Sequence, residues 1–239
     1  MKSCITFVKI LKKVDLYVKI RMNDKLFLRN PEETELGRRI IQHGIELIHQ
    51  LGFEAFTFKK LAIEINTTEA GIYRYFENKH LLLVYLVDWY WSWQEYRLHF
   101  QTNNIISAEQ KLKMAIALLC ESTVDDVSTT HINEALLFDI VMSEGSKSYH
   151  TSHVVEYNEL KLYKPYKDFC SRIAELIAEL NPAYDYPHSL ASTVIEMAHS
   201  LIYFMKNLPS MTDFGSSDDK SKVIIFLEDM LFATIKNAK

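Results

Sequence analysis

The sequence has little glycine, proline or cysteine, and each shortage argues against a class of protein. Six glycines and five prolines in 239 residues leave little room for a turn-rich β fold, and long periodic segments favour helices. The three cysteines are scattered without a Cys-x-x-Cys pair, which argues against a disulfide framework or a zinc knuckle and indicates a reducing compartment. No apolar run is long enough to span a bilayer, and lysines interrupt the amino terminus too often for a signal peptide. We therefore expect an all-α, cytoplasmic protein without a membrane segment.

Basic residues are concentrated at the amino-terminal end. The whole chain has a formal net charge of −4, yet residues 1–90 hold 14 Lys/Arg against 11 Asp/Glu. Within residues 1–29 the excess is larger, with eight basic residues against two acidic ones. A positive end on an acidic body is typical of a protein that meets phosphates at that end.

The periodicity divides the chain into three parts. Residues 1–30 form a basic extension that fits a strand, a helix or a loose arm, and Met22 opens a plausible alternative start. Residues 31–80 predict a three-helix unit with a helix-turn-helix, and residues 81–239 predict a larger helical body. In the body, after a long helix to about Phe100, we expect helices at 107–125, 131–146, 154–180, 188–208 and 219–237.

Capping residues mark the helices of the amino-terminal unit. A first helix follows Pro31 and stops before Gly52, which suits a helix end. Thr57 and Thr68 are good caps for two short helices, and Asn78 caps the long helix that follows. Two short helices joined by a tight turn predict a helix-turn-helix unit, which reads DNA with its second helix.

The second short helix, in the stretch TEAGIYRYFENKH, is shaped for contact with another surface. On a helical wheel Ile72 and Phe76 point inward. The outward set comprises Ala70, Gly71 and Arg74, with Tyr73 and Tyr75 on the flanks. Glycine lets a backbone come close to a partner, arginine donates to a guanine edge or a phosphate, and tyrosine hydroxyls donate to phosphates. The alternative is that Gly71 is simply tolerated in this helix and that both tyrosines serve in packing.

The phrase LGFEAFTFKKLAIEINTTEAGIYRYFENKHLLL resembles the TetR family of bacterial transcriptional regulators. The resemblance implies phosphate contacts from Thr57, Thr68, Tyr73 and Lys79, and a base-facing stretch at Glu69, Ala70, Gly71 and Arg74. The expected DNA-binding residues are Thr57, Thr67, Thr68, Glu69, Ala70, Gly71, Tyr73, Arg74 and Lys79. Gly71 stands where Thr or Ser is common in the family, so the operator does not follow by analogy.

The resemblance also implies a ligand cavity in the body and a homodimer built by the last two helices, here those near 188–208 and 219–237. One face of the long helix carries an aromatic stripe, which fits a pocket or an ordinary core; Trp91 points almost opposite. The candidate ligand-binding residues are Trp89, Trp93, Tyr96 and Phe138. The expected function is a repressor that binds a palindromic operator and is released by a small-molecule effector.

Two other functions fit parts of the pattern. A helix-turn-helix protein without an effector would have the same amino-terminal unit. A helical-bundle metal-carboxylate enzyme would use Glu-x-x-His pairs, of which the chain has three: Glu46/His49, Glu77/His80 and Glu196/His199. The wheels place Glu46, His49 and Glu196 opposite the apolar stripes, and Glu77 and His80 straddle a cap. We therefore predict no catalytic site, no metal and no cofactor.

Overall fold

The structure is a computed structural model that describes residues 20–121, 131–215 and 219–236. These residues form ten α-helices and no β-strand, which confirms the all-α prediction. The helices are α1 (Glu35–Leu51), α2 (Phe58–Glu64), α3 (Glu69–Tyr73), α4 (Lys79–Thr102), α5 (Ala108–Cys120), α6 (Glu134–Glu144), α7 (Val154–Glu159), α8 (Lys164–Leu180), α9 (Pro187–Asn207) and α10 (Ser221–Lys236). Short 3₁₀ helices lie at Asp24–Leu26, Pro31–Glu33, Gly145–Ser148 and Pro209–Met211.

The basic extension lies largely outside the described residues, since the description begins at residue 20. The part that is described packs on the protein. Leu26 is fully buried, the backbone N–H of Leu28 donates to the Tyr75 carbonyl at 2.8 Å, and the Phe27 ring meets the Tyr85 ring edge-on. Residues 22–30 therefore belong to the folded amino-terminal unit.

The first helix begins later than Pro31, because a 3₁₀ turn precedes it. Thr34 caps α1 by accepting a hydrogen bond from the Gly37 N–H at 3.0 Å. A Cβ on Gly37 would lie 2.2 Å from the Pro31 carbonyl oxygen, so only glycine lets the turn fold back onto α1. At the other end Gly52, with φ of 76°, ends the helix in a left-handed conformation.

Helix α4 is the central element of the fold. Every side chain from Leu81 to Trp91 is buried, so this helix is apolar on all sides rather than amphipathic. Near its start, the Leu82 side chain approaches Gly44 of α1. Its later part packs against α5, α6 and α8. A helix that is hydrophobic all round must lie between layers, as its sequence predicted.

The body surrounds α4 with the remaining long helices. Helices α8 and α9 pack on each other, α5 contacts both, and α10 closes the end against α5 and α9. The predicted helix 154–180 is wrong as one element, because Lys161 adopts a left-handed φ of 59° and separates α7 from α8. Pro165, in the first turn of α8, was the available signal, since proline favours the start of a helix.

Candidate nucleic-acid interface

Helices α2 and α3 form a compact helix-turn-helix. The turn passes through Asn66, whose φ of 49° is left-handed, and the N–H of Thr67 donates to the Ala62 carbonyl at 2.8 Å. Asparagine tolerates this conformation better than most residues. Thr57 accepts from the Lys60 N–H at 3.2 Å and Thr68 from the Gly71 N–H at 3.1 Å. Both threonines therefore cap the helices for which they were predicted.

The outer side of α3 is open to solvent. Thr68, Glu69, Ala70 and Arg74 are exposed, while Ile72 is fully buried beneath them. Tyr73 is 46% exposed, and its ring meets the Phe58 ring edge-on at 5.1 Å between centroids. The hydroxyl of Tyr73 is thus presented at one margin of the helix by a ring that packing holds in place.

Tyr75 does not flank the outer surface, and its predicted position is wrong. Its side chain is 2% exposed, and its hydroxyl lies 2.7 Å from the Thr34 Oγ1 at the start of α1. The guanidinium of Arg29 lies over the ring, 5.6 Å from the centroid. Helix α3 ends at Tyr73, so the backbone leaves the ideal wheel before Tyr75 and turns this side chain inward.

Gly71 serves the packing of the turn as well as the openness of the surface. A Cβ at this position would lie 3.1 Å from the Thr67 Oγ1 and 3.5 Å from the Thr68 Oγ1. The first contact is tighter than ordinary van der Waals distance, so alanine here would displace the Thr67 hydroxyl. The glycine therefore keeps two threonine side chains next to the exposed face of α3.

Lys79 is engaged by the protein's own backbone. Its Nζ donates to the carbonyl oxygens of Phe53, Glu54 and Phe56 at 2.9, 3.1 and 3.1 Å. It also lies 4.7 Å from the centroid of the Phe53 ring. An ammonium group has three hydrogens, so these bonds account for all of its donors. A phosphate contact by Lys79 stays a prediction, and a role in joining α4 to the segment before α2 stands beside it.

Some of the other basic side chains of this unit donate to the protein's own backbone, and others do not. Arg39 donates to the Ile65 carbonyl at 2.6 Å at the end of α2, and Lys60 donates to the Ala55 carbonyl at 2.7 Å. Lys59 and Arg74 are exposed and make no such bond to the part of the chain that the structure describes. These two positive charges are available to a phosphate backbone.

The body contains a small polar cavity between α4, α6, α8 and α9, with a volume of about 90 Å³. Its polar lining is centred on Glu196, whose Oε1 accepts hydrogen bonds from the hydroxyls of Tyr149 at 2.8 Å and Tyr166 at 2.5 Å. The Trp91 ring lies 4.7 Å from the Tyr166 ring and 5.4 Å from the His199 ring. Burial and the hydrogen bond to Glu196 raise the pKa of both tyrosines well above the ordinary value, so they stay neutral donors.

His199 stands at this cavity without a hydrogen bond on one nitrogen. Burial lowers the pKa of its imidazole to about 4, so the ring is neutral near pH 7. Its Nε2 is buried and has no partner among the described residues. The sequence did contain signals for this site: Trp91 pointed away from the main aromatic stripe, and Glu196 and His199 stood three residues apart.

The four ligand-binding candidates stand elsewhere. The rings of Trp89, Trp93 and Tyr96 stack in succession along α4, with centroids 6.0 and 5.3 Å apart. The indole Nε1 of Trp93 donates to the Glu134 carboxylate at 2.9 Å. Phe138 is buried on α6, 6.5 Å from the Tyr90 ring. The structure does not bring all four together, and their contact with a ligand stays a prediction.

The three Glu-x-x-His pairs have separate surroundings. Glu46 accepts from Gln42 along α1, and His49 lies 3.2 Å from Asp139. His80 donates from Nε2 to the Lys147 carbonyl at 2.9 Å. Across residues 20–121, 131–215 and 219–236, no group of three or more His, Cys, Asp or Glu side chains could hold a metal ion. Over the same ranges, no helix has the length and hydrophobicity needed to cross a bilayer.

Polar contacts join the cavity wall to the amino-terminal unit. Glu144, at the end of α6, accepts from the Phe53 N–H at 3.0 Å and pairs with Lys147 at 2.8 Å. Lys147 also pairs with Glu54 at 2.9 Å. The cavity is lined by Val141, Met142, Gly145 and Ser146, which belong to this same short stretch. The segment that enters α2 is therefore bonded to the wall of the cavity.

A second junction lies at Glu32, in the 3₁₀ turn before α1. It accepts from the hydroxyl of Tyr85 at 3.0 Å and from His131 Nε2 at 3.1 Å. Burial raises the pKa of Glu32, but the hydrogen bonds from His131 and Tyr85 and the nearby positive charges outweigh it, so the pKa lies below its ordinary value. This carboxylate thus connects the turn to α4 and to the residues before α6.

An apolar groove runs along the outer faces of α9 and α10. Its apolar lining consists of Met197, Leu201, Phe204 and Phe226, and Ile225 lies beside it. Glu196 and Ser200, which line the polar cavity, line this groove as well. Ile225 and Phe226 are exposed and the α9 side chains are partly exposed, so the two helices share one contiguous apolar surface. Such a surface marks an interaction site more often than single exposed apolar residues do. The two helices are those for which the sequence predicted a homodimer.

Comparison with known proteins agrees with this architecture. Residues 40–86 match the family model described as bacterial regulatory proteins, tetR family. No curated protein sequence matches the chain. Among solved structures, AibR in complex with isovaleryl coenzyme A and operator DNA is 17% identical, with a TM-score of 0.56 over 82% of this chain and 98% of that one.

Two further structures share the fold. The fatty acid degradation regulator FadR from Bacillus halodurans is 16% identical, with a TM-score of 0.57 over 84% of this chain and 98% of that one. A proposed transcriptional regulator from Saccharomonospora viridis, solved with choline, is 17% identical, with a TM-score of 0.55 over 85% of this chain and 97% of that one. At such identities the likeness concerns the fold alone.

Proposed function

Residues 40–86 place this chain in the TetR family of bacterial regulatory proteins, and from that premise we propose that it is a ligand-responsive transcriptional repressor. In this proposal it binds a palindromic operator as a homodimer, with α3 of each protomer in a major groove. A small molecule in the body releases it from DNA. The protein carries out no catalysis.

The observation that supports DNA binding most directly is the open outer side of α3. Glu69, Ala70 and Arg74 are exposed next to one another, with the Tyr73 hydroxyl at the margin. A helix that served only to hold the fold would bury more of this face. Arg74 is the candidate for a base contact, because arginine binds guanine O6 and N7 with two donors.

The groove on α9 and α10 supports the dimer. One five-residue helix reads too few bases for specificity, and two half-sites related by a two-fold axis correct this. A symmetric interface uses the same patch on both subunits, as an exposed apolar patch near the end of the chain allows. The second copy would cover the exposed parts of Phe204 and Phe226.

The contacts at Glu144 and Lys147 support a route from the cavity to α2. A ligand that moves Gly145 and Ser146 would also move the residues on either side of them. Glu144 would carry the Phe53 N–H with it, and Lys147 would carry Glu54. Displacing α2 and α3 in both protomers changes the distance between the two recognition helices. To shift the population strongly, the ligand must prefer the released form by several kcal/mol, roughly 5.5 kcal/mol for a shift from 1:99 to 99:1.

Selection of bound sequences from random double-stranded DNA, followed by fluorescence anisotropy on the selected site, tests the proposal. We expect a palindrome. Arg74→Ala should weaken binding by about 1–3 kcal/mol and relax the preference at one base position. Arg172→Ala, a matched change on the surface of α8, should leave binding unchanged. If the full-length protein binds no duplex even at low ionic strength, the proposal is wrong.

A constitutive DNA-binding protein without an effector is the alternative, and the polar cavity favours the sensor over it. A filled apolar interior would hold no carboxylate open to a ligand, whereas Glu196 lines this cavity with two tyrosine donors. Screening small molecules for release of the operator complex separates the two. Release by none of them would favour the constitutive protein.

A further inference from the structure

The Glu196 carboxylate on the cavity wall has hydrogen-bond donors but no positive partner. Both tyrosine hydroxyls donate to the same oxygen, Oε1, and both are neutral groups. Within the part of the chain that the structure describes, no Lys, Arg or His side chain forms an ion pair with Glu196. No described residue donates to Oε2, so this oxygen is available to a cation that carries N–H donors.

The remaining polar lining can also receive a hydrogen-bonded ligand. Ser146 and Ser200 line the cavity with hydroxyls, and the neutral imidazole of His199 has a buried Nε2 with no partner among the described residues. Val87, Val141 and Met142 form the apolar part. A ligand that fits this lining has a polar, positively charged head and a short hydrocarbon portion.

The aromatic rings decide between two kinds of cation. Quaternary ammonium groups are held by the faces of aromatic rings. Here the rings stack on one another, with Trp91 between Tyr166 and His199 at centroid distances of 4.7 and 5.4 Å and interplanar angles of 28° and 26°. Faces that cover each other are poorly available to a ligand. An ammonium group with N–H donors, which binds carboxylate oxygens directly, suits the site better.

We propose that this cavity binds a small protonated aliphatic amine, whose ammonium group pairs with Glu196 and whose carbon chain lies against Val87, Val141 and Met142. This deepens the proposed function, because it names the chemical class of the effector. The cavity volume of about 90 Å³ limits the ligand to a few heavy atoms. An anionic ligand of the same size would face an uncompensated carboxylate and is excluded from the site by repulsion.

Isothermal titration calorimetry on the full-length protein without DNA tests the proposal, with n-butylammonium as the probe. Butyrate and tetramethylammonium are the comparators, since one reverses the charge and the other lacks N–H donors. We expect saturable binding of n-butylammonium, at least about tenfold weaker binding of tetramethylammonium, and none of butyrate. If n-butylammonium does not bind, or binds no better than tetramethylammonium, the proposal is wrong.

Substitutions in the cavity test whether n-butylammonium binds there. Glu196→Gln keeps the shape and removes the charge, and it should weaken n-butylammonium by at least about tenfold. Glu179→Gln, the same change at an exposed position on α8, should have no effect. Ser146→Leu, which narrows the cavity without touching the carboxylate, should also weaken binding and gives a second test if Glu196→Gln does not fold. Unchanged binding in a folded Glu196→Gln or Ser146→Leu protein would overturn the assignment.

Failure of amine binding and failure of DNA binding give different results. Anisotropy on the selected operator, measured without amine, tests DNA binding alone. A protein that binds its operator but no amine contradicts only the cation site. A protein that binds the amine but no duplex contradicts only the regulatory function.

Discussion

Asp88 gives the sharpest prediction about stability, because this carboxyl is buried inside α4 and pairs with no positive side chain of the residues that the structure describes. It is 4% exposed, and burial together with the charge of Asp168 raises its pKa to about 8. In the unfolded chain the same group has an ordinary pKa near 3.8. Below that value the carboxyl is protonated in both states, and its contribution to folding is fully retained. As the pH rises towards 8, the unfolded chain ionises freely while the folded protein must keep the proton.

The magnitude follows from proton linkage. Between these two pKa values the folded state binds one more proton, so the free energy of unfolding falls by about 1.4 kcal/mol per pH unit. Between pH 6 and pH 8 the loss amounts to about 2 kcal/mol, because ionisation in the folded state begins near the upper limit. The dependence fades within about one pH unit above 8, because the carboxyl is then ionised in both states.

Urea denaturation of wild type and Asp88→Asn at pH 6 and pH 8 measures the effect. The variant lacks the titrating group, so the difference in unfolding free energy between variant and wild type should shift by about 2 kcal/mol in favour of the variant as the pH rises. Asp185→Asn, at an exposed position before α9, should show no such shift. If the Asp88→Asn difference is the same at both pH values, the carboxyl is not held protonated and the reasoning is wrong.

Gly37→Ala should lower the unfolding free energy by about 2 kcal/mol or more, because the new Cβ would lie 2.2 Å from the Pro31 carbonyl oxygen, whereas Gly44→Ala, with an ordinary contact of 3.4 Å, should be neutral or slightly stabilising. Urea denaturation compares the two variants, and equal effects would contradict the clash at Gly37. Lys79→Ala should lower the unfolding free energy, measured by urea denaturation, by about 1.5–3 kcal/mol, because three carbonyl oxygens lose their donor, whereas Lys59→Ala should leave it unchanged. If Lys79→Ala keeps full stability but flattens the salt dependence of DNA binding, Lys79 contacts only phosphate. Phe226→Glu should halve the molar mass that light scattering measures and leave the monomer folded, because the substitution buries a charge in the apolar groove. An unchanged mass would exclude this surface from the dimer interface.

Local sequence signals determined the amino-terminal unit. The caps Thr57, Thr68 and Asn78 each accept from the backbone N–H three positions ahead, so neighbours along the chain fix their role. The all-α fold class likewise followed from periodicity and from the scarcity of glycine and proline. The break after α7 falls inside the single helix predicted for residues 154–180, although Pro165 is typical of the first turn of a new helix.

Tertiary structure decided which side chains stand together in the body. Tyr149, Tyr166 and Glu196 come from a 3₁₀ segment, α8 and α9, and no periodicity along one helix relates them. The three donors of Lys79 are likewise directed at carbonyls more than 20 residues away, so a wheel of α4 does not reveal them. Capping depends on contacts between residues a few positions apart, so the sequence alone predicts it. A cavity or an engaged lysine depends on how separate helices meet, and only their packing determines it.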